Sequence, residues 1–204
     1  MIYETLQILK EQLEDYFQQI GLGKIIDLQN IALWESESID EASFNNKVIL
    51  TLIRLEEEAT LKNRSHFKVN DLKSEYRNPP VSLNLYLLIS ANFVPSTSGD
   101  AYEKSLRCLS AVIEFFQGKK VFTSANTVYN RTNVSFDVLD YFKFNLEIYT
   151  PTFDELNNIW GTLGGKQLPS VIYKVQLIEI ERDKKLAESE VITHIGGTLN
   201  DLKQ

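Results

Sequence analysis

Cysteine and histidine are scarce in this sequence of 204 residues. The single cysteine, Cys108, cannot form an internal disulfide and is too little for a cysteine-ligated zinc cluster. The two histidines, His66 and His194, stand beside no candidate nucleophile and show no metal-ligand spacing. Both are therefore interpreted as surface residues. These absences predict no metal, no cofactor and no catalytic centre built on thiol or imidazole.

Long apolar runs and excess positive charge are missing as well. No uninterrupted apolar segment approaches the ~20 residues that span a bilayer, and acidic residues interrupt the N-terminal segment where a signal peptide would be basic and then apolar. Lys and Arg total 21 against 28 Asp and Glu, which gives a formal net charge of -7. A nucleic-acid binder needs a basic surface to neutralise phosphates. We expect synthesis in the bacterial cytoplasm and neither nucleic acid nor membrane as a partner.

Hydrophobic periodicity predicts the order of the elements. The apolar residues of the first twenty positions lie three or four apart and indicate an amphipathic helix that ends at Gly21 and Gly23. A second helical repeat contains Tyr102, Leu106, Leu109, Ile113 and Phe116.

Strands are predicted at Lys24–Asn30, Lys47–Leu55, Val81–Ser90, Val121–Thr123, Val134–Leu139, Phe142–Tyr149 and Val171–Glu181. The apolar run Lys47–Leu55 indicates a strand covered on both faces. Thr152 and Glu155 form a capping-box pattern before a short third helix. Because most successive strands are joined by loops too short for a crossover helix, we expect an α/β fold of the α+β type, in which a mostly antiparallel sheet packs with helices.

One domain, residues 1–181, accounts for the strong patterns. Within it, Glu56–Arg77 is polar and is interpreted as an exposed connection. Residues 182–204 are charged and poor in apolar side chains, and they are predicted to form a polar, flexible C-terminal tail.

A carboxylate cluster, two glycine-containing turns and one thiol are the candidate chemical sites. Glu56, Glu57 and Glu58 form the tightest carboxylate cluster, but neighbours in a strand point to opposite faces, so solvation or a salt-bridge surface is favoured over cation binding. The sequences at Gly21–Lys24 and Gly164–Lys166 follow helices and lack phosphate-loop spacing. Cys108 lies among apolar helix residues, which predicts a buried, inert thiol. The chain is therefore predicted not to be an enzyme.

Two aromatic segments stand out at element boundaries. Phe115–Phe122 places three Phe residues around a helix-to-strand turn, and Trp160–Ser170 joins a Trp-bearing helix to a strand through three Gly and a Pro. They fit turn chemistry with core aromatics, and they equally fit an aromatic anchor beside a rigid loop, as in protein–protein hot spots.

Several of these motifs together resemble one family. They are Glu56–Asn63, Asn78–Asn92, Ile113–Thr123, and Leu156–Gly161 with Ser170 and Tyr173–Val175. Their order and spacing are similar to those of the cap (tube and sheath terminator) proteins of extracellular contractile injection systems, of the antifeeding-prophage and Photorhabdus virulence cassette type. The resemblance covers about Ile2 to Glu181.

The resemblance implies a phage tail-terminator-like fold and a structural role. A hexameric ring of such a protein would sit on the distal end of the inner tube, terminate it and anchor the last sheath layer. The implied partners are other copies of the chain, the inner tube protein and the sheath protein, all within a released extracellular particle. Some relatives carry an additional C-terminal domain, so a role that depends on that part is not expected of the shared region.

Interface residues are nominated from the charged and aromatic segments, because a ring needs two different surfaces on each subunit. The candidates are Glu56, Glu57, Glu58, Lys62, Gln117, Lys119, Lys120, Trp160 and Lys166. Two other functions stay open: the tail terminator of a contractile phage, and an adaptor or chaperone for cargo of the particle.

Overall fold

The computed structural model describes residues 2–34, 44–58, 60, 65–70, 73–76, 78–94, 99–128, 142–180 and 187–190. The described helices are α1 (Ile2–Gln19), α2 (Ala101–Gly118) and α3 (Phe153–Thr162), with a short 3-10 helix at Ile31–Leu33. The described strands are β1 (Ile26–Leu28), β2 (Lys47–Glu57), β3 (Phe67–Asn70), β4 (Lys73–Tyr76), β5 (Val81–Asn92), β6 (Val121–Thr123), β7 (Lys143–Tyr149), β8 (Ser170–Ile180) and β9 (Ala187–Glu190).

Six strands form the main sheet in the order β1-β2-β5-β8-β7-β6. β1 pairs with β2 in parallel, and the other neighbours are antiparallel. The prediction of a mostly antiparallel sheet packed with helices is therefore confirmed. The central strand β5 is buried along nearly its whole length because both of its faces are covered.

Helices α1 and α2 cover one face of the sheet. Their buried apolar side chains form one cluster with Leu85, Leu87 and Ile89 of β5. Helix α1 ends as predicted at Gly21, whose φ of 81° is the left-handed conformation that glycine tolerates. Two hydrogen bonds close this end: Leu22 N donates to Phe17 O at 2.8 Å, and Gly21 N donates to Gln18 O at 3.2 Å. This pair of bonds is a Schellman motif.

The apolar repeat predicted α2 correctly, but of its five residues only Leu109 and Phe116 are buried. Tyr102 is 66% exposed, and Leu106 and Ile113 are also exposed. The buried side of the helix also carries smaller residues, namely Ala101, Ser105, Cys108, Ala111 and Val112.

An aromatic cluster joins the end of α2 to the β6–β7–β8 side of the sheet. The ring of Phe122 stacks on Phe144 with centroids 5.2 Å apart, and the ring of Phe116 lies 4.8 Å from that of Tyr173. Phe115 contacts both Phe116 and Phe122. The three Phe residues at the helix-to-strand turn are thus core aromatics in the monomer.

Helix α3 packs on the opposite face of the sheet. Trp160 forms a second core cluster with Ile49, Leu88 and Ile172, one from each of three strands. The predicted capping box begins the helix: the Thr152 hydroxyl accepts from Glu155 N at 3.3 Å, and the Glu155 carboxylate accepts from Thr152 N at 2.8 Å. These bonds satisfy backbone donors that a helix start otherwise leaves unpaired.

Loss of this cap should have a small, measurable effect. We expect Thr152→Ala to lower the free energy of unfolding by about 1 kcal/mol, because the alanine cannot accept the helix-start hydrogen bond. Urea unfolding of the purified chain measures the difference. Thr162→Ala at the other end of α3 is the control, and an equal loss there would show that the cap has no special role.

The polar region before β5 differs from its prediction. Instead of a plain exposed connection, β3 and β4 pair with each other, and β9 pairs with β4 to complete a three-stranded sheet. Along the chain, β4 precedes β5 and β9 follows β8. A strand of four residues is too short for its periodicity to be recognised in the sequence.

Two other predictions fall wholly or partly outside the described residues. The predicted strand Val134–Leu139 lies outside them, and of the tail 182–204 only β9 is described.

β2 departs from its prediction at one end. Residues Val48–Thr51 are buried, but the burial decreases from Leu52 onward. A register shift between Leu52 and Arg54 marks a bulge opposite β5. Beyond it Leu55 is exposed, so only the first half of the strand is covered on both faces.

Candidate assembly interface

The acidic end of β2 divides its side chains between two faces of the sheet, as the alternation predicts. Glu56 lies opposite Asn84 and Glu57 opposite Leu83. The Glu56 carboxylate accepts from the Tyr86 hydroxyl at 2.7 Å and from Arg54 at 3.4 Å. Burial and the neighbouring Glu56 carboxylate raise the pKa of Tyr86 to about 12.

Glu58 is held by neutral donors. Asn84 Nδ2 donates to it at 2.8 Å, and the Thr60 hydroxyl donates at 2.8 Å. These hydrogen bonds lower the pKa of Glu58. Glu56 and Glu58 therefore both have hydrogen-bond partners within the chain. Lys62, nominated beside it, lies outside the described residues.

Lys119, at the end of α2, connects three parts of the structure. Its Nζ donates to Gln12 Oε1 of α1 at 2.7 Å and to Asn126 O at 3.0 Å. The same ammonium lies 4.8 Å from the centroid of the Phe122 ring, and burial lowers its pKa. Gln117 and Lys120, the other nominated residues of this turn, are exposed.

These contacts separate the roles of two adjacent lysines. We expect Lys119→Ala to lower the free energy of unfolding by about 1–2 kcal/mol, because it removes two charge-assisted hydrogen bonds and a cation–π contact. Lys120→Ala should change it by less than about 0.5 kcal/mol, as surface substitutions usually do. Urea unfolding of both variants measures this. Equal losses in the two variants would refute the assignment.

Trp160 is a core residue of the monomer. Its side chain is 4% exposed, and its Nε1 is buried with no hydrogen-bond partner among the described residues. The loop after α3 turns through Gly164 and Gly165, both with positive φ, and Gly165 N donates to Trp160 O at 2.7 Å. Lys166 follows on the surface. The nominated residues therefore lie in three separate places, and their part in an interface stays a prediction.

A groove between α3 and the sheet was not predicted. It has a volume of about 510 Å³, and its lining includes Leu52, Arg54, Tyr86, Tyr149 and Ile159. A cavity of about 30 Å³ beside Trp160 shares Ala32 and Leu163 with it. The lining of the groove comes from five segments of the chain, so no local motif could reveal it. The groove and the exposed α2 residues Tyr102, Leu106 and Ile113, here termed the α2 stripe, lie on opposite faces of the sheet.

The thiol and the two imidazoles of the sequence are the remaining side chains with possible chemistry. Cys108 is buried as predicted, and burial raises its pKa to about 11. The His66 ring stacks on Tyr76 with centroids 5.6 Å apart, whereas His194 lies outside the described residues. Within the described ranges, no group of three or more His, Cys, Asp and Glu side chains is arranged to hold a metal ion. Of the helices described, none is long and apolar enough to cross a membrane.

Comparison with known proteins decides the family. The sequence model described as the Pvc16 N-terminal domain matches residues 4–194. The chain belongs to the Pvc16 N-terminal domain family. This match extends past residue 181, where the strong sequence patterns end.

Solved structures share the fold of this chain. The chain is similar over 100% of its length to the sheath/tube terminator of PVC, an extracellular contractile injection system, in the extended state, with a TM-score of 0.61 and 14% identity. It is similar over 75% of its length to the tube-terminating cap of the anti-feeding prophage, with a TM-score of 0.51 and 16% identity. It spans 64% and 49% of those two chains. The terminator-like fold is thus confirmed. No curated protein matches the sequence.

Proposed function

We propose that this chain is a structural cap of a phage-tail-like contractile injection system. Six copies form a ring that terminates the inner tube and anchors the last sheath layer. The observation that carries the proposal is the similarity of the whole chain to a protein described as a sheath/tube terminator. The family match supports it, since it covers residues 4–194.

The surface of the monomer supports assembly into a ring. A cyclic ring joins two different surfaces of each subunit head to tail. The α2 stripe offers exposed apolar side chains on one face of the sheet, and the groove beside α3 offers a concave surface on the other. Exposed aromatic and aliphatic side chains of this kind are typical of protein interfaces.

The partners and location follow from the proposed role. The chain contacts its own copies, the inner tube protein and the sheath protein, and it uses no enzymatic activity. It is synthesised and assembled in the bacterial cytoplasm and leaves the cell as part of the particle. Neither nucleic acid nor a membrane takes part.

Removal of the gene tests this function directly. Particles from cells without the chain should have inner tubes of uncontrolled length and a sheath that is not anchored at the distal end. Negative-stain electron microscopy of purified particles gives the length distribution. Re-expression of the chain should restore a narrow distribution, and unchanged lengths without it would refute the proposal.

The same experiment separates the alternative functions. A cargo adaptor or chaperone would leave particle length unchanged and would be absent from finished particles. A phage tail terminator would control tail length but would bind a head filled with DNA.

A further inference from the structure

Strand β6 lies at one edge of the main sheet, beyond β7. Leu146 N of β7 donates to Lys120 O at 2.8 Å, and in an antiparallel pair the backbone groups of every second residue point to the same neighbour. The backbone groups of Val121 and Thr123 therefore point away from β7, toward the outside of the sheet. Unpaired N–H and C=O groups in such a position are a template on which a strand of another chain can pair.

The side chain of Asn126 occupies this edge. Its Nδ2 donates to Val121 O at 3.0 Å, and its Oδ1 accepts from Thr123 N at 2.9 Å. One amide group thus offers β6 the donor and the acceptor that the backbone of a further strand would offer. The backbone N of Asn126 also donates to Thr123 O at 3.2 Å. Three of the four outward-facing groups of Val121 and Thr123 are therefore paired within the chain.

Contacts with both helices of this face hold Asn126 in place. The hydroxyl of the buried Thr127 donates to Asn126 Oδ1 at 2.8 Å, which fixes the orientation of the amide. Lys119 Nζ, at the end of α2, donates to Asn126 O at 3.0 Å. Gln12 Nε2 of α1 donates to Val128 O at 2.6 Å. The segment that carries the amide is thus anchored to α1 and α2 as well as to β6.

Turn formation alone does not account for these side-chain bonds. The turn after β6 closes through the bond from Asn126 N to Thr123 O, which is a backbone bond and does not need an asparagine. Local asparagine turns join the side chain to the backbone two residues further along the chain. Here the amide reaches back three and five residues, to the outer side of β6. Val121 is 41% exposed, so without the amide this edge would be apolar and open.

We propose that Asn126 closes the β6 edge, so that β6 of a second copy of the chain cannot add to the main sheet. The amide takes the place of a seventh strand. Copies of a chain that assembles with itself meet at high local concentration, and an open edge would join their sheets side by side in competition with the intended contacts. The closed edge does not depend on the cap role of the chain.

Asn126→Ala in the purified full chain tests the proposal. The variant frees Val121 O and Thr123 N, while the turn bond from its backbone N remains. Hydrogen–deuterium exchange followed by NMR should show the Thr123 amide exchanging about ten-fold faster, as expected when one hydrogen bond is lost. Sedimentation velocity should show species larger than any that the native chain forms at the same concentration. Asn157→Ala, the same change at an exposed position of α3, is the matched control and should leave both measurements as in the native chain.

A second substitution separates edge pairing from general aggregation. Lysine on an edge strand disfavours strand addition, so Val121→Lys added to Asn126→Ala should restore native sedimentation without restoring the protection of the Thr123 amide. Native sedimentation or native exchange in Asn126→Ala would overturn the proposal. So would equal self-association of Asn157→Ala, or larger species that persist with Val121→Lys. Asn126→Ala should also keep the native circular dichroism; its loss would show that the amide serves the fold and not the edge, which overturns the proposal too.

Discussion

Phe122→Ala is expected to lower the free energy of unfolding by about 3–5 kcal/mol, which is a large part of the stability of a domain of this size. The side chain is 0% exposed. Its ring stacks on Phe144 and contacts Phe115 and Phe116, so truncation leaves a cavity that three rings line. The variant also removes the cation–π contact between the Lys119 ammonium and the Phe122 ring. Urea unfolding followed by tryptophan fluorescence measures the loss.

Phe153→Ala is the matched control for that variant. It makes the same change of side chain at a position that is 87% exposed, in the first turn of α3. Alanine is also the better helix former there. We expect a change within about 0.5 kcal/mol, as for other surface substitutions. Losses of similar size in Phe122→Ala and Phe153→Ala would contradict the described core.

Trp160→Ala is expected to cost about 3–5 kcal/mol of unfolding free energy, because Trp160 is the largest member of the second core cluster. This result distinguishes the two interpretations of the Trp-bearing segment. A surface anchor could be truncated with little effect on the monomer, whereas a core residue could not.

Trp160→Phe controls for the size of the side chain. It keeps most of the apolar volume and removes the Nε1 donor that has no partner in the described structure. The loss should therefore stay below about 1.5 kcal/mol. If Trp160→Ala were as stable as the native chain, α3 would not be packed on the sheet by this ring.

The fold was largely predictable because its long elements carry strong periodic patterns. The stripe of α1, the strand predicted at Val81–Ser90 and the capping box at Thr152 each identified an element that the structure confirms. β3 and β4 were missed because four residues contain too little periodicity, and the third strand of their sheet, β9, lies more than a hundred residues away. The repeat that predicted α2 missed the small residues of its buried face, because residues such as Ala101 and Ser105 carry little hydrophobic signal.

The candidate interface was less predictable than the fold. Charge and aromatic content drew attention to Lys119 and Trp160, but both side chains are engaged within the monomer. Composition alone cannot tell a buried aromatic ring from an exposed anchor. The groove escaped detection because Arg54, Tyr86, Tyr149 and Ile159 meet only after β2, β5, β7 and α3 are assembled. The surface left by packing, and not the local sequence, defines where a partner can bind.

Electron microscopy of purified particles that carry a gold-labelled tag on this chain tests the central claim most directly. The account predicts label at one end of each particle only, at the tip of the inner tube farthest from the baseplate. Label along the sheath, or its absence from intact particles, would contradict the assignment of this chain as the cap.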